Sequence, residues 1–233
     1  VSPTGALVAA LVCGALGALV PRLIAWVPEP PEPADDKIPY ARIAAAPRLA
    51  LVSVVVCAVV GALVGGAIGL DWPLLFLVPL VPVGVALALI DWRTRLLPTR
   101  IIAPTYLALV PLVVVAALAS GEPRLLLRAA IGWAVMGGIY VLLWLVYPAG
   151  MGYGDVRLSG ILGIVLGYLG WGELALGGWS AFLLGGVGGV VLVLLKVIDR
   201  RHNPFGPWML IGALIGIVAG PAFSTWMWGD LGA

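Results

Sequence analysis

Eight apolar stretches, each close to the length of a bilayer-crossing helix, follow one another along the 233 residues of this chain, at approximately 5–27, 49–70, 73–90, 101–119, 125–147, 156–170, 174–198 and 208–228. A helix needs about 20 mostly apolar residues to cross the hydrocarbon core, so eight would take about 160 residues and leave only short connections. In lipid every backbone polar group must be satisfied internally, which restricts spanning segments to helices or closed barrels. Runs this long predict helices. The composition agrees: 62% hydrophobic and 10% charged, against about 45–50% and 25% in soluble domains, with a mean hydropathy of +1.13. The expected fold is all-α and polytopic, with about eight transmembrane helices, and residues 1–233 form one membrane-embedded domain. A net charge of +2 gives no reason to expect a nucleic-acid partner; the partner implied is the lipid bilayer.

The first stretch has an Ala-rich middle but lacks the basic start of a signal peptide, its only positive charge being Arg22 near the far end, so it reads as a retained span. Residues 28–47 form the one sizeable polar segment. It opens with Pro28, Pro30, Pro31 and Pro33 among Glu29 and Glu32 and carries Asp35, Asp36, Lys37 and Arg42. It reads as a short, stiff linker, too small to bury a core of its own. Cys13 and Cys57 lie inside apolar runs and read as small core residues. With His202 isolated in a basic loop, no metal site or cofactor is expected.

Basic residues set the orientation. Arg22, Lys37, Arg42, Arg48, Arg93, Arg95, Arg100, Arg157, Lys196, Arg200 and Arg201 fall on the linker's side, and only Arg124 and Arg128 fall opposite. The positive-inside rule then makes the linker and the loops at 91, 155 and 200 cytoplasmic, with both termini outside. Small-xxx-small spacings at Gly61/Gly65/Gly69, Gly163/Gly167, Gly185/Gly189 and Gly212/Gly216/Gly220 predict close helix crossings in lipid. Trp26, Trp72, Trp171, Trp226 and Trp228, near span ends, read as interfacial anchors.

Two acids stand at span ends on the predicted cytoplasmic side. Asp91 closes an apolar run, where an acid meets the unfavourable negative end of a helix dipole. Asp155 sits in the glycine-crowded junction Gly150-Met151-Gly152-Tyr153-Gly154-Asp155-Val156-Arg157, just before the next span. Surface pairing of Asp91 with Arg93 or Arg95, and N-capping by Asp155, are the ordinary roles for such residues. Ionisable side chains at a bilayer edge are costly and are functional-site candidates by default. Held close together, two carboxylates do not both ionise readily. The charged one is then able to take a proton from water while the protonated one polarises a peptide carbonyl. Glycines at 152 and 154 leave room for an extended substrate beside Asp155, and Arg157 is placed either to fix a carboxylate or carbonyl or to snorkel to the interface.

The segment Gly152-Tyr153-Gly154-Asp155-Val156-Arg157-Leu158 carries a GxGD motif and resembles the second active-site segment of the type IV prepilin peptidases. Asp91-Trp92-Arg93-Thr94-Arg95-Leu96-Leu97-Pro98 resembles their first, an Asp followed seven residues later by Pro. Pro204-Phe205-Gly206-Pro207 is similar to the PFGP loop before their last helix. The resemblance implies a membrane aspartyl endopeptidase of the inner membrane, with Asp91 and Asp155 as catalytic pair and Gly152, Gly154, Arg157, Pro204, Phe205, Gly206 and Pro207 in support. It implies a prepilin or pseudopilin substrate, cut at the cytoplasmic face between a basic leader and an apolar helix. The chain departs from the family's pattern in a linker without cysteines, in Arg157 where lysine is usual and in Thr99 where an acid often follows the proline. No S-adenosylmethionine site is readable, which leaves methyl transfer open. The alternatives are a small proton-coupled transporter using the same two acids, or a scaffold in which they only pair with arginines.

Overall fold

The computed structural model describes residues 1–31, 37–148, 151–188, 191, 194–195 and 204–229. Glu32, Pro33, Asp35, Asp36, Gly150, Gly189, Lys196, Arg200, Arg201, His202 and Asn203 lie outside the described residues. Every regular element described is helical. The elements are α1 (Pro3–Gly17), α2 (Val20–Ala25), α3 (Tyr40–Ala44), α4 (Leu49–Ile68), α5 (Leu74–Thr94), α6 (Thr99–Ala119), α7 (Arg124–Val146), α8 (Tyr153–Leu169), α9 (Trp171–Leu183), a π-helical turn (Leu184–Gly188) and α10 (Gly206–Trp228). Among the described residues, five helices are long and apolar enough to cross a membrane: α4, α5, α6, α7 and α10. The chain is therefore an all-α, multi-pass membrane protein. It divides into two compact units, Val1–Leu112 and Val113–Ala233.

In the first unit, the apolar run expected as one span at 5–27 is broken. Ser2 caps α1 by accepting a hydrogen bond from the Gly5 N–H at 3.1 Å, but the helix stops at Gly17 and α2 restarts at Val20. Pro21 supplies the reason, having no N–H to donate to the Gly17 carbonyl and a ring that clashes with it. α1 packs along α4 on glycine. A Cβ built on Gly61 would lie 2.6 Å from the Ala9 carbonyl oxygen, and Gly5 and Gly65 are each in backbone contact with the other. Gly69 closes α4 at a positive φ of 79°, where glycine is at ease, and still belongs to the crossing: a Cβ on Gly5 would lie 2.9 Å from the Gly69 Cα. Cys13 and Cys57 are both fully buried at this interface.

The linker also has structure. The Glu29 carboxylate accepts a hydrogen bond from the Tyr40 N–H at 2.6 Å and pairs with the Lys37 ammonium. Lys37 in turn stands 3.6 Å above the Tyr40 ring centroid. Tyr40 is buried and its phenol lies near Thr94, which sets the latch beside the last turn of α5. Burial first, and the nearby Glu29 charge second, hold the Tyr40 phenol above its ordinary value of 10.0. The unfolded chain then gives up this proton before the folded one does. The associated stability is complete below pH 10 and is lost as the pH rises through the folded-state value. Tyr40→Phe removes the titrating group, and should flatten the alkaline fall of the thermal midpoint above about pH 10, measured in detergent.

In the second unit, α7 and α8 run antiparallel. Their crossing uses Gly163 and Gly167, as the spacing predicts, against Gly132: a Cβ on Gly167 would lie 2.7 Å from the Arg128 carbonyl oxygen and 2.9 Å from the Gly132 Cα. Gly212, Gly216 and Gly220 of α10 likewise lie on α9, where a Cβ on Gly216 would meet the Glu173 carbonyl oxygen at 2.6 Å. The last four carbonyls of a helix have no partner within it, and α8 satisfies all of its own. The Gly170 N–H donates to Leu166 O at 3.0 Å. Arg128 of α7 serves the rest, donating from Nε to Gly167 O at 2.8 Å and from its terminal nitrogen to Leu169 O at 2.7 Å and to Tyr168 O. Arg128→Met keeps most of the volume and removes these donors, and should lower stability by about 1–3 kcal/mol, read as a drop in thermal midpoint in detergent.

Candidate active site

Asp91 occupies the last turn of α5, with its main-chain carbonyl accepting from the Arg95 N–H at 2.7 Å. The side chain is only 4% exposed. Just beyond, Arg95 takes a left-handed conformation at φ 56°, a position where glycine is usual and other residues cost about 1–2 kcal/mol. The chain thus turns sharply immediately after the acid. Thr94 donates its hydroxyl to Ile90 O at 2.8 Å and lies near Tyr40.

Asp155 is 7% exposed. The expectation that it would cap a helix starting at 156 is corrected: α8 begins at Tyr153, Gly152 is the N-cap with an extended backbone, and Asp155 is the third helical residue. From there its carboxylate reaches back to accept the Gly152 N–H at 3.1 Å. This is half of a capping box, since glycine has no side chain to complete the exchange. A carboxylate in the first turn also faces the favourable end of the helix dipole, worth about 0.3–1 kcal/mol when exposed and more when partly buried. Gly152 is exposed and Gly154 half-buried. A Cβ at 152 would come within 3.3 Å of the Asp155 Oδ2, so the glycine keeps its side of the carboxylate clear. Arg157 is half-buried, with Nε 3.4 Å from the Tyr153 carbonyl and its guanidinium 5.1 Å from the Tyr153 ring centroid.

Pro204 and Gly206 are buried, while Phe205 and Pro207 are half-buried at the start of α10. Phe205 is the N-cap, and the proline next to the helix start fits there because no partner awaits its missing N–H. The Phe205 ring lies directly over Gly185, in the π-helical turn, and packs against Tyr140 and Phe182 at centroid distances of 6.1 and 5.8 Å. Tyr140 and Phe182 are 5.1 Å apart. The loop therefore meets α7 and α9 through three aromatic rings. Tyr140 was not singled out from the sequence, because a tyrosine in the middle of an apolar helix carries no pattern that distinguishes it from core. Among the described residues, no group of three or more His, Cys, Asp and Glu gathers as a metal site would.

The model of the type IV leader peptidase family matches residues 78–194, half of the chain. Three curated relatives carry the name prepilin leader peptidase/N-methyltransferase. The protein of Aeromonas salmonicida strain A449 is 34% identical over 111 residues, 41% of this chain and 36% of that protein. The one from Escherichia coli K12 is 29% identical over 139 residues, 57% and 58% of the two chains. The one from Pseudomonas putida is 32% identical over 167 residues, 67% and 50%. The match thus spans between about a third and three fifths of these relatives' own length. No solved structure matches. Relatives of this kind, together with the apolar spanning helices, make this a multi-pass inner-membrane protein. Both buried aspartates fall within the matched region, and the chain belongs to the type IV leader peptidase family.

Proposed function

We propose that the chain is a membrane aspartyl endopeptidase that removes the leader of a type IV prepilin or pseudopilin, with Asp91 and Asp155 as its catalytic pair. One observation carries this reading: among the described carboxylates, only Asp91 and Asp155 are buried, and both lie in the part of the chain that matches the family. Burying a carboxylate near an apolar phase is unfavourable unless something is gained from it, and the family's chemistry supplies the gain. In this reading the pair works by general acid–base catalysis. Asp155, at the positive end of α8, is the acid better suited to hold the charge and take a proton from water. Asp91, at the negative end of α5, is better suited to hold a proton and polarise the scissile carbonyl. Gly152 and Gly154 leave space for extended substrate backbone, Arg157 offers a cation at the mouth, and Pro204-Phe205-Gly206-Pro207 supports the Asp155 side.

The same reading takes the whole chain as one membrane-embedded domain with eight crossings, the five long helices joined by α1, α8 and α9 as shorter ones. It puts the linker and both aspartates at the cytoplasmic face. Family membership favours the peptidase over a proton-coupled carrier. Co-expression with a prepilin in a host lacking its own leader peptidase tests the proposal. Mass spectrometry of the pilin should find a new N-terminus between the basic leader and the apolar helix; a pilin that keeps its full leader counts against it.

A further inference from the structure

Tyr140 is 1% exposed, yet its hydroxyl has no hydrogen-bond partner among the described residues. A buried hydroxyl without a partner costs about 1–3 kcal/mol, and phenylalanine would fill the same ring site without that cost. The register of α7 on α8 says where this hydroxyl lies. Arg128 reaches the carbonyls of residues 167–169, Gly132 is in contact with Gly163 and Gly167, and the Trp144 ring stands 5.2 Å from that of Tyr153. Each step toward the C-terminus of α7 is thus a step toward the N-terminus of α8. Gly132, Met136 and Tyr140 are buried at four-residue intervals, so they share one face. Eight residues beyond Gly132, about 12 Å along the axis, Tyr140 falls beside the first turn of α8, which holds Asp155. The two side chains are close enough to interact electrostatically, and the Phe205 ring packs against the same tyrosine.

Building on the proposed peptidase reading, we infer that Tyr140 is a further catalytic residue, its phenolic oxygen holding the hydrolytic water against Asp155. The water donates one hydrogen to the Asp155 carboxylate and the other to the Tyr140 oxygen, which leaves a lone pair of the water oxygen directed at the scissile carbonyl. As the new C–O bond forms, the proton on the first of these hydrogens passes to Asp155. When the C–N bond breaks, the departing amine takes the proton held by Asp91, and the proton gained by Asp155 is returned to Asp91 through solvent before the next turnover. One water is consumed and one acid and one amine are released, while Tyr140 keeps its own proton throughout.

The test is Tyr140→Phe in the full chain, assayed in detergent with purified prepilin beside Asp91→Asn and Asp155→Asn. The expected result is a fall in kcat of about 10- to 100-fold with KM within about twofold and a thermal midpoint no lower than that of the parent, since the ring packing is kept. A kcat within about twofold of the parent, or a loss that comes with a lowered thermal midpoint or appears only in KM, overturns the inference. If the two aspartate variants are inactive and Tyr140→Phe is not, this inference alone falls. If Asp155→Asn still cleaves, the reading beneath it falls as well.

Discussion

Asp155→Asn and Asp91→Asn should each lower cleavage of a co-expressed prepilin by three orders of magnitude or more, about 4 kcal/mol in the barrier, while leaving the protein in the membrane at its normal level. The substitution changes almost nothing but the ability to hold or release a proton. At Asp155 the amide oxygen still accepts the Gly152 N–H, now at 3.1 Å, so α8 should start where it does now. At Asp91 the backbone bond to Arg95 is untouched. On the proposed reading the pair acts as a unit, so the double variant should be about as inactive as either single one, the non-additivity expected of groups that serve one transition state. Multiplicative losses, or a single variant that cuts at the parental rate, would show that the two carboxylates do not share the reaction.

The second large effect is structural. Gly163→Leu should abolish the folded state of the second unit, and Gly163→Ala should cost about 1–3 kcal/mol, the usual scale of overpacking. What a Cβ at 163 would meet is main chain: it overlaps the Gly132 carbonyl oxygen and lies 3.0 Å from the Trp133 Cα. A flexible side chain would swing away, whereas a helix backbone must move as a whole. That displacement separates α7 from α8 along the face holding Tyr140 and Asp155, so activity should fall with stability. Gly137 and Gly138, on the same α7, are the contrast. A Cβ at either position meets nothing within 4 Å, so alanine there should hold or raise the thermal midpoint, gaining up to about 1 kcal/mol of helix propensity.

Much of this was legible in the sequence because lipid makes strong demands of a local kind. Apolar length identified α4 to α7 and α10, small-xxx-small spacing identified the glycine crossings, and two acids at span ends stood out against an almost uncharged background. The features that escaped depend on partners far along the chain or on fine local geometry. Arg128 reads as an interfacial basic residue until the α8 carbonyls, about forty positions later, are seen beside it. The break before Pro21 fell inside a run that hydropathy alone treats as continuous. Asp155 sits three residues into its helix and not before it, because the extended backbone of Gly152 starts the first turn earlier than an aspartate N-cap would.

The latch among Glu29, Lys37 and Tyr40 bears on how chains of this kind vary in size. It ties the chain to itself across the stretch between Glu29 and Lys37, leaving the two flanking points held together near the end of α5. Closing a flexible loop becomes harder only with the logarithm of its length, about 0.6 kcal/mol for each doubling. Between those anchors the polypeptide is free to grow, even to the size of a separate folded body, and the helices on either side would register almost none of it.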